Sequence, residues 1–265
     1  MKLSQLENNI KNKKSFLCLG LDTDIDKIPK HLLNNSDPVF EFNKDLIDQL
    51  NKKIVAVKIN TAFYESRGIA GWTSMEKTIN YLNKYYPELF TIADAKRGDI
   101  GNTSKMYAKA FFENLNFDSI TLSPYMGMDT VSEFLDYDEK YPILLALTTN
   151  QGASDFQLPN NLYESVITKS KNVKGAKKIM FVVGATKSKF LKNIRKIAPD
   201  NFLLIPGVGA QGGDAAEVVN SCTNSENKKI LINVSRSIIY AGNDENYVFE
   251  ALKKVDEINN SIGFK

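Results

Sequence analysis

Histidine is almost absent from this chain of 265 residues: His31 is the only one, and it lies in the polar stretch KIPKHLLNNSD rather than at the end of an apolar run. A Ser-His-Asp triad, a His-rich metal site or a His general base would each have to use that residue, so the chemistry is expected from Lys, Asp and Arg. Cysteine is scarce too. Cys18 and Cys222 are too few for a disulfide framework or a four-thiolate zinc site. Charge of one sign is not in excess: 34 Lys and Arg stand against 31 Asp and Glu, leaving +3. That balance gives no reason to expect a nucleic-acid or membrane partner, though it leaves room for a local anionic ligand. Met1 leads into the polar LSQLENNIKNKKS, which does not read as a signal peptide, and the expected location is the cytoplasm.

What is present is an ordinary globular composition, 43% hydrophobic and 25% charged, which excludes disorder as the main state. The length suits either two average domains or one α/β barrel of about 250 residues. Eight short apolar runs recur, SFLCLGL, KIVAVKI, LFTIAD, SITLS, YPILLAL, KIMFVV, NFLLIP and KILINV, with helical patterns between them such as DPVFEFNKDLIDQLN and TSMEKTINYLNKYY. Near-continuous apolar strands alternating with helices signal a parallel sheet covered by helices. Eight such units predict a single (β/α)8 barrel over 1–265, with a doubly wound open sheet as the alternative. An amphipathic segment before the first strand, KLSQLENNIKN, is an additional N-terminal helix able to cap the barrel bottom.

Barrel active sites form at the carboxyl ends of the strands, where this sequence concentrates its charge. The first strand ends on LGLDTD with Asp22, the second on VKIN with Lys58 and Asn60, the third on ADAKRGD with Asp94, Lys96 and Asp99, and the eighth on NVSRS with Arg236. Alternation of side chains puts Lys58 and Asn60 on one face. A lone ammonium buried there is costly, so Lys58 is expected to have a carboxylate partner, which Asp94 on the neighbouring strand can supply. Lys58, Asp94 and Lys96 then form an alternating charge row, which is either a structural ion-pair network or a catalytic one. Asp99 follows a turn and either precedes a helix as a turn residue or serves an adjacent subunit. PGVGAQGGD, after the seventh strand, carries Gly207 and Gly209, whose freedom suits close backbone approach to a ligand. Loops after strands seven and eight commonly hold phosphate in this architecture, and the Arg236 guanidinium adds a fork of donors suited to it.

With these motifs assembled, the chain resembles the orotidine 5′-phosphate decarboxylase family over nearly its whole length. The most specific element is Asp94-Ala95-Lys96-Arg97-Gly98-Asp99-Ile100-Gly101-Asn102-Thr103, similar to that family's Asp-x-Lys-x-x-Asp signature. LGLDTD, VKIN, TTNQGAS at 148–154, PGVGAQ at 206–211 and Ser235-Arg236 accompany it in order. The wording KRGD and TTNQGASDFQ looks most like a branch found in some bacteria and in apicomplexan parasites.

The resemblance implies decarboxylation of orotidine 5′-phosphate to uridine 5′-phosphate (UMP) and CO2, with no metal and no organic cofactor. It assigns Lys58, Asp94, Lys96 and Asp99 to a catalytic charged tetrad in a homodimer with shared active sites, Asp99 and Thr103 coming from the other subunit. It gives Asp22 and Asn60 to the ribose hydroxyls, Thr149 to the pyrimidine edge, and Gln211 and Arg236 to phosphate, with Gly207, Gly209 and Ser235 in the phosphate loop. Where the family usually has a glycine before its phosphate arginine, this chain has Ser235. Lys96 would stabilise charge developing at C6 and protonate it. A magnesium-dependent sugar-phosphate decarboxylase or aldolase of the same superfamily is the nearest rival. Those enzymes place a metal-binding Glu where this chain has Lys58, and a cation there disfavours a divalent ion at close range. A catalytically silent phosphate-binding barrel would need no paired lysines.

Overall fold

The computed structural model describes residues 1–208, 214–224 and 227–264. Each of the eight apolar runs forms a strand: β1 Leu17–Leu21, β2 Ala56–Asn60, β3 Phe90–Arg97, β4 Ser119–Leu122, β5 Tyr141–Leu147, β6 Met180–Val183, β7 Leu203–Pro206 and β8 Ile230–Val234. They close into a barrel in chain order, which settles the choice against an open sheet. The paired strands run parallel, with Gly20 beside Lys58 and Asn60 beside Asp94. Strands β1 and β8 are buried at every residue, the pattern of strands covered on both faces.

The helices begin where local chemistry permits. The N-terminal helix α1 (Leu3–Lys13) buries Leu6 and Ile10. Asn9 donates to the Glu88 carbonyl at 2.7 Å, and Lys13 donates to the carbonyls of Asn51 and Ile54 at 2.7 and 3.1 Å. Those contacts seat α1 at the amino ends of β2 and β3, the barrel bottom, as its sequence suggested. Helix α2 (Pro38–Leu50) starts on Asp37, whose carboxylate accepts from the Phe40 N–H, with Pro38 in the first helical turn. The single-turn helix α3 (Ala62–Glu65) leads to α4 (Gly68–Tyr85), which starts ahead of the predicted TSMEKT segment. Then come α5 (Gly101–Ala108), continued by a π-helical turn over Lys109–Asn114, and α6 (Asp129–Leu135). Next are α7 (Ala153–Phe156), α8 (Leu162–Ser170), α9 (Ser188–Ile197) and α10 (Ala215–Cys222). Asp214 caps α10 through the N–H groups of Ala216 and Glu217. The one-turn α11 (Arg236–Ile239) and α12 (Tyr247–Ile262) complete the chain.

Two compact units partition the chain, Met1–Asp94 with Asn233–Phe264, and 95–232. The first is packed around Phe42 and Leu46 of α2, Met75, Ile79 and Leu82 of α4 and Val255 of α12, all fully buried. The second is built on Phe111, Phe117, Phe134, Phe181 and Phe202. Removing each such side chain from water contributes about 1.5–3 kcal/mol. Among the described residues, no helix is long and apolar enough to cross a membrane.

Candidate active site

In the first unit, β2 carries Lys58 inward, where the residue is 4% exposed. Its ammonium donates to Asp94 Oδ2 at 2.9 Å and to Asp22 Oδ1 at 3.4 Å. The carboxylate partner expected from the sequence is therefore Asp94, and Asp22, expected only at ribose, is a second partner. Burial works against the charge on Lys58, but Asp94 and Asp22 outweigh it and hold its pKa above the usual lysine value, so the ammonium is retained at neutral pH. Cys18, on the same strand as Gly20, is fully buried. Its thiol is pushed up to about 12, chiefly by burial, with Lys58 pulling against Asp94 and Asp22.

The β1 turn that bears Asp22 is held from two sides. On one, Thr23 donates to Asn43 of α2 at 2.7 Å; Asn43 in turn donates to Tyr64 and Thr78, and the Tyr64 hydroxyl reaches the Leu21 carbonyl at 3.3 Å. On the other, the Tyr240 hydroxyl accepts from the Asp24 N–H at 2.8 Å and donates to the Asp22 carbonyl at 3.0 Å. Sequence reasoning gave none of Thr23, Asn43, Tyr64 or Tyr240 a role. Asn43 alone left a signal, an amide in the apolar stripe of α2.

At the end of β8, Ser235 precedes Arg236, the first residue of α11, and Arg236 is exposed. The Ser235 hydroxyl donates to the Gly20 carbonyl at 2.9 Å. Ser235 thus has its side chain tied to β1, and its carbonyl accepts from Ile238 and Ile239. Gly207, just past β7, has φ +97°, a conformation that favours glycine. Gly209 and Gln211 lie outside the described residues.

The second unit holds Lys96, Asp99, Thr103 and Thr149. Lys96 is exposed and has a left-handed backbone, φ +47°, so the regular strand pleat that would have aligned it with Asp94 is broken there. Its N–H donates to Thr121 Oγ1 at 2.9 Å, and the Ser123 N–H donates to the Arg97 carbonyl at 2.8 Å, which fixes the end of β3 against β4. Non-glycine residues in this conformation are uncommon and concentrate at functional sites. Arg97 lies against the rings of Tyr107 and Phe111, 5.4 and 5.6 Å from their centroids. Asp99 sits in the turn before α5, where its carboxylate accepts from the Ile100 N–H at 2.7 Å and its carbonyl accepts from the Ser104 hydroxyl. Thr103 is exposed on α5. The Thr149 loop is braced by Gln157, the last residue of the TTNQGASDFQ motif, to which sequence reasoning gave no role: its amide accepts from the Thr148 N–H at 2.7 Å and donates to Thr148 Oγ1 at 2.9 Å. Among the described residues, no three or more His, Cys, Asp or Glu side chains cluster as metal ligands.

A barrel carrying a buried Lys-Asp pair, with a further Lys and Asp two and five residues on in sequence, has known counterparts. A sequence model of the Orotidine 5′-phosphate decarboxylase / HUMPS family matches residues 15–251, and the chain belongs to that family. It is 54% identical to orotidine 5′-phosphate decarboxylase of Flavobacterium johnsoniae, over all of both chains. Among solved structures, it resembles Leishmania donovani OMP decarboxylase with a TM-score of 0.80 and 31% identity, covering 98% of this chain and 100% of that one. It also resembles Leishmania donovani UMP synthase, with a TM-score of 0.83 and 32% identity, covering 98% of this chain but 57% of that longer one.

Proposed function

We propose that this protein is a carboxy-lyase that converts orotidine 5′-phosphate to UMP and CO2, the last step of UMP biosynthesis. The observation that carries the reading is the buried Lys58 ammonium held by Asp94 and Asp22, with Lys96 two residues beyond Asp94. Its full-length relatives named for this activity support it as well.

In the reaction, the bond between C6 and the carboxylate breaks, CO2 departs and the electron pair stays on C6. Lys96 stabilises that charge and delivers the proton that completes UMP. Asp94 lies by the departing carboxylate, and Lys58 holds the Asp94 and Asp22 side chains in place through its two contacts. Asp22 and Asn60 hold the ribose hydroxyls, and Thr149 meets the pyrimidine edge. Phosphate is gripped by Arg236 and Gln211, with Gly207, Gly209 and Ser235 supplying the loop backbone, and this remote binding energy assists the chemical step.

The chain acts as a homodimer in which Asp99 and Thr103 complete the site of the partner. The expected compartment is the cytoplasm, and neither metal nor organic cofactor takes part. The test is an assay of purified protein with orotidine 5′-phosphate, with and without a chelator. Formation of UMP and CO2 at an unchanged rate is expected. Loss of turnover that magnesium restores would move the chain to the metal-dependent branch of the superfamily.

A further inference from the structure

The turn bearing Asp22 and the turn bearing Arg236 are joined by two hydrogen-bonded ties, one on each side of Arg236. Before it in sequence, the Ser235 hydroxyl reaches the Gly20 carbonyl at 2.9 Å. After it, Tyr240 closes the single turn of α11 by donating its N–H to the Arg236 carbonyl at 3.2 Å, while its hydroxyl clamps the Asp22 carbonyl and the Asp24 N–H. Asp22 then passes the connection to Lys58 through its carboxylate. A continuous path therefore runs from the backbone of Arg236 through one tyrosine to the charge cluster.

We propose that Tyr240 is a positioning residue that couples phosphate held at Arg236 to the placement of Asp22 and Lys58. The inference rests on the functional reading above and adds to it a residue to which that reading assigns no part in holding phosphate or in the chemistry at C6. A one-turn helix has little stiffness of its own, so its position relative to β1 depends on what fastens its two ends. Phosphate binding orders the exposed Arg236 side chain, and the tie at Tyr240 carries that restraint to the Asp22 turn. The opposite side of this turn is fastened by Thr23 to Asn43, so Tyr240 is the tie that leads toward Arg236. The ring of Tyr240 stacks on Phe42 at 6.2 Å, a contact that phenylalanine would keep. The hydroxyl stays protonated through the neutral range because burial, above all, pushes its pKa up to about 12.

The experiment is a double-mutant cycle of Tyr240→Phe with Arg236→Ala, reading kcat/KM on orotidine 5′-phosphate and on orotidine, which lacks the phosphate. Tyr240→Phe alone is expected to lower kcat/KM on orotidine 5′-phosphate by about tenfold, within the range of coupled neighbours. In the Arg236→Ala chain, and with orotidine, the same change should cost less than about twofold. Ser235→Ala, which removes the other tie, is the parallel variant should Tyr240→Phe not fold, and the same non-additivity is expected of it. Equal fold-losses in both backgrounds would reduce Tyr240 to a structural residue, and no loss in the otherwise unaltered chain would remove it from the reaction. Either result overturns this inference alone. Absence of turnover by the unaltered chain overturns the functional reading and this inference with it.

Discussion

Ser235 Cβ lies 2.7 Å from the point where a side chain on Gly20 would begin, so the end of β8 can meet β1 only because residue 20 has none. Asn233 Oδ1 stands 3.1 Å from the same point. The close approach brings the Ser235 hydroxyl onto the Gly20 carbonyl, and a serine is accommodated beside Arg236 by turning its side chain into the barrel wall.

Gly20→Ala is therefore expected to destabilise the fold by about 1–3 kcal/mol, the range for overpacking a filled interior. The urea midpoint measures it. Combining it with Ser235→Gly removes the closer clash and should recover part of the loss. A midpoint unmoved by Gly20→Ala would mean that the two strands separate freely.

Removing one member of the buried ion pair should be more damaging. Asp94→Ala leaves the Lys58 ammonium buried with Asp22 as its remaining carboxylate at 3.4 Å, and a loss of about 3–5 kcal/mol is expected in equilibrium denaturation. Replacing both, Lys58→Met with Asp94→Leu, should cost less than Asp94→Ala alone while abolishing turnover. The two readouts separate the structural share of the pair from its chemical share.

Alkaline pH should weaken the fold. Burial raises Cys18 from 9.0 to about 12, Cys222 from 9.0 to about 11 and Tyr240 from 10.0 to about 12. Their unfolded-state protons leave first, so above about pH 9 the unfolded chain binds fewer protons than the folded one, and stability falls until the folded values are passed. Lys58, also raised, adds to the loss as its unfolded form deprotonates, whereas Lys13 and Lys140, lowered by burial, oppose it. A urea midpoint level from about pH 7 to 8.5 and declining from about 9 to 11 is expected. A midpoint that climbs through that window would contradict the assignment.

The proposed sharing of the site between subunits is open to complementation. Lys96→Ala and Asp99→Ala homodimers should each be nearly inactive. In a mixed dimer, one site carries both defects and the other neither. Random exchange in an equimolar mixture makes roughly half the dimers mixed, with half of their sites intact, so recovery should approach roughly a quarter of wild-type activity. No recovery from proven heterodimers would return Asp99 to its own barrel.

The barrel was legible in the sequence because both faces of its strands are covered, which leaves near-continuous apolar runs such as YPILLAL and IMFVV. The Lys58–Asp94 pair was legible for a related reason: a charge at the end of such a run needs a counter-charge nearby. Single turns such as α3, α7 and α11 were not, since four residues are too few to display a helical period. Nor was Tyr240, because its hydrogen bonds join positions more than two hundred residues apart and leave no local pattern. The broken pleat at Lys96 escaped for the opposite reason: alternation assumes regular strand geometry, and a left-handed lysine departs from it with no neighbouring glycine or proline to announce it.

With Lys96 as the proposed proton donor, that backbone sets stability and chemistry against each other at a single codon. A left-handed lysine is disfavoured by about 1–2 kcal/mol, a penalty from which glycine is exempt. A library sorted only for heat resistance should therefore enrich glycine at position 96, whereas one sorted for growth without external pyrimidine should keep lysine there. Heat-selected descendants of this barrel would then be sturdier than their parent and inert.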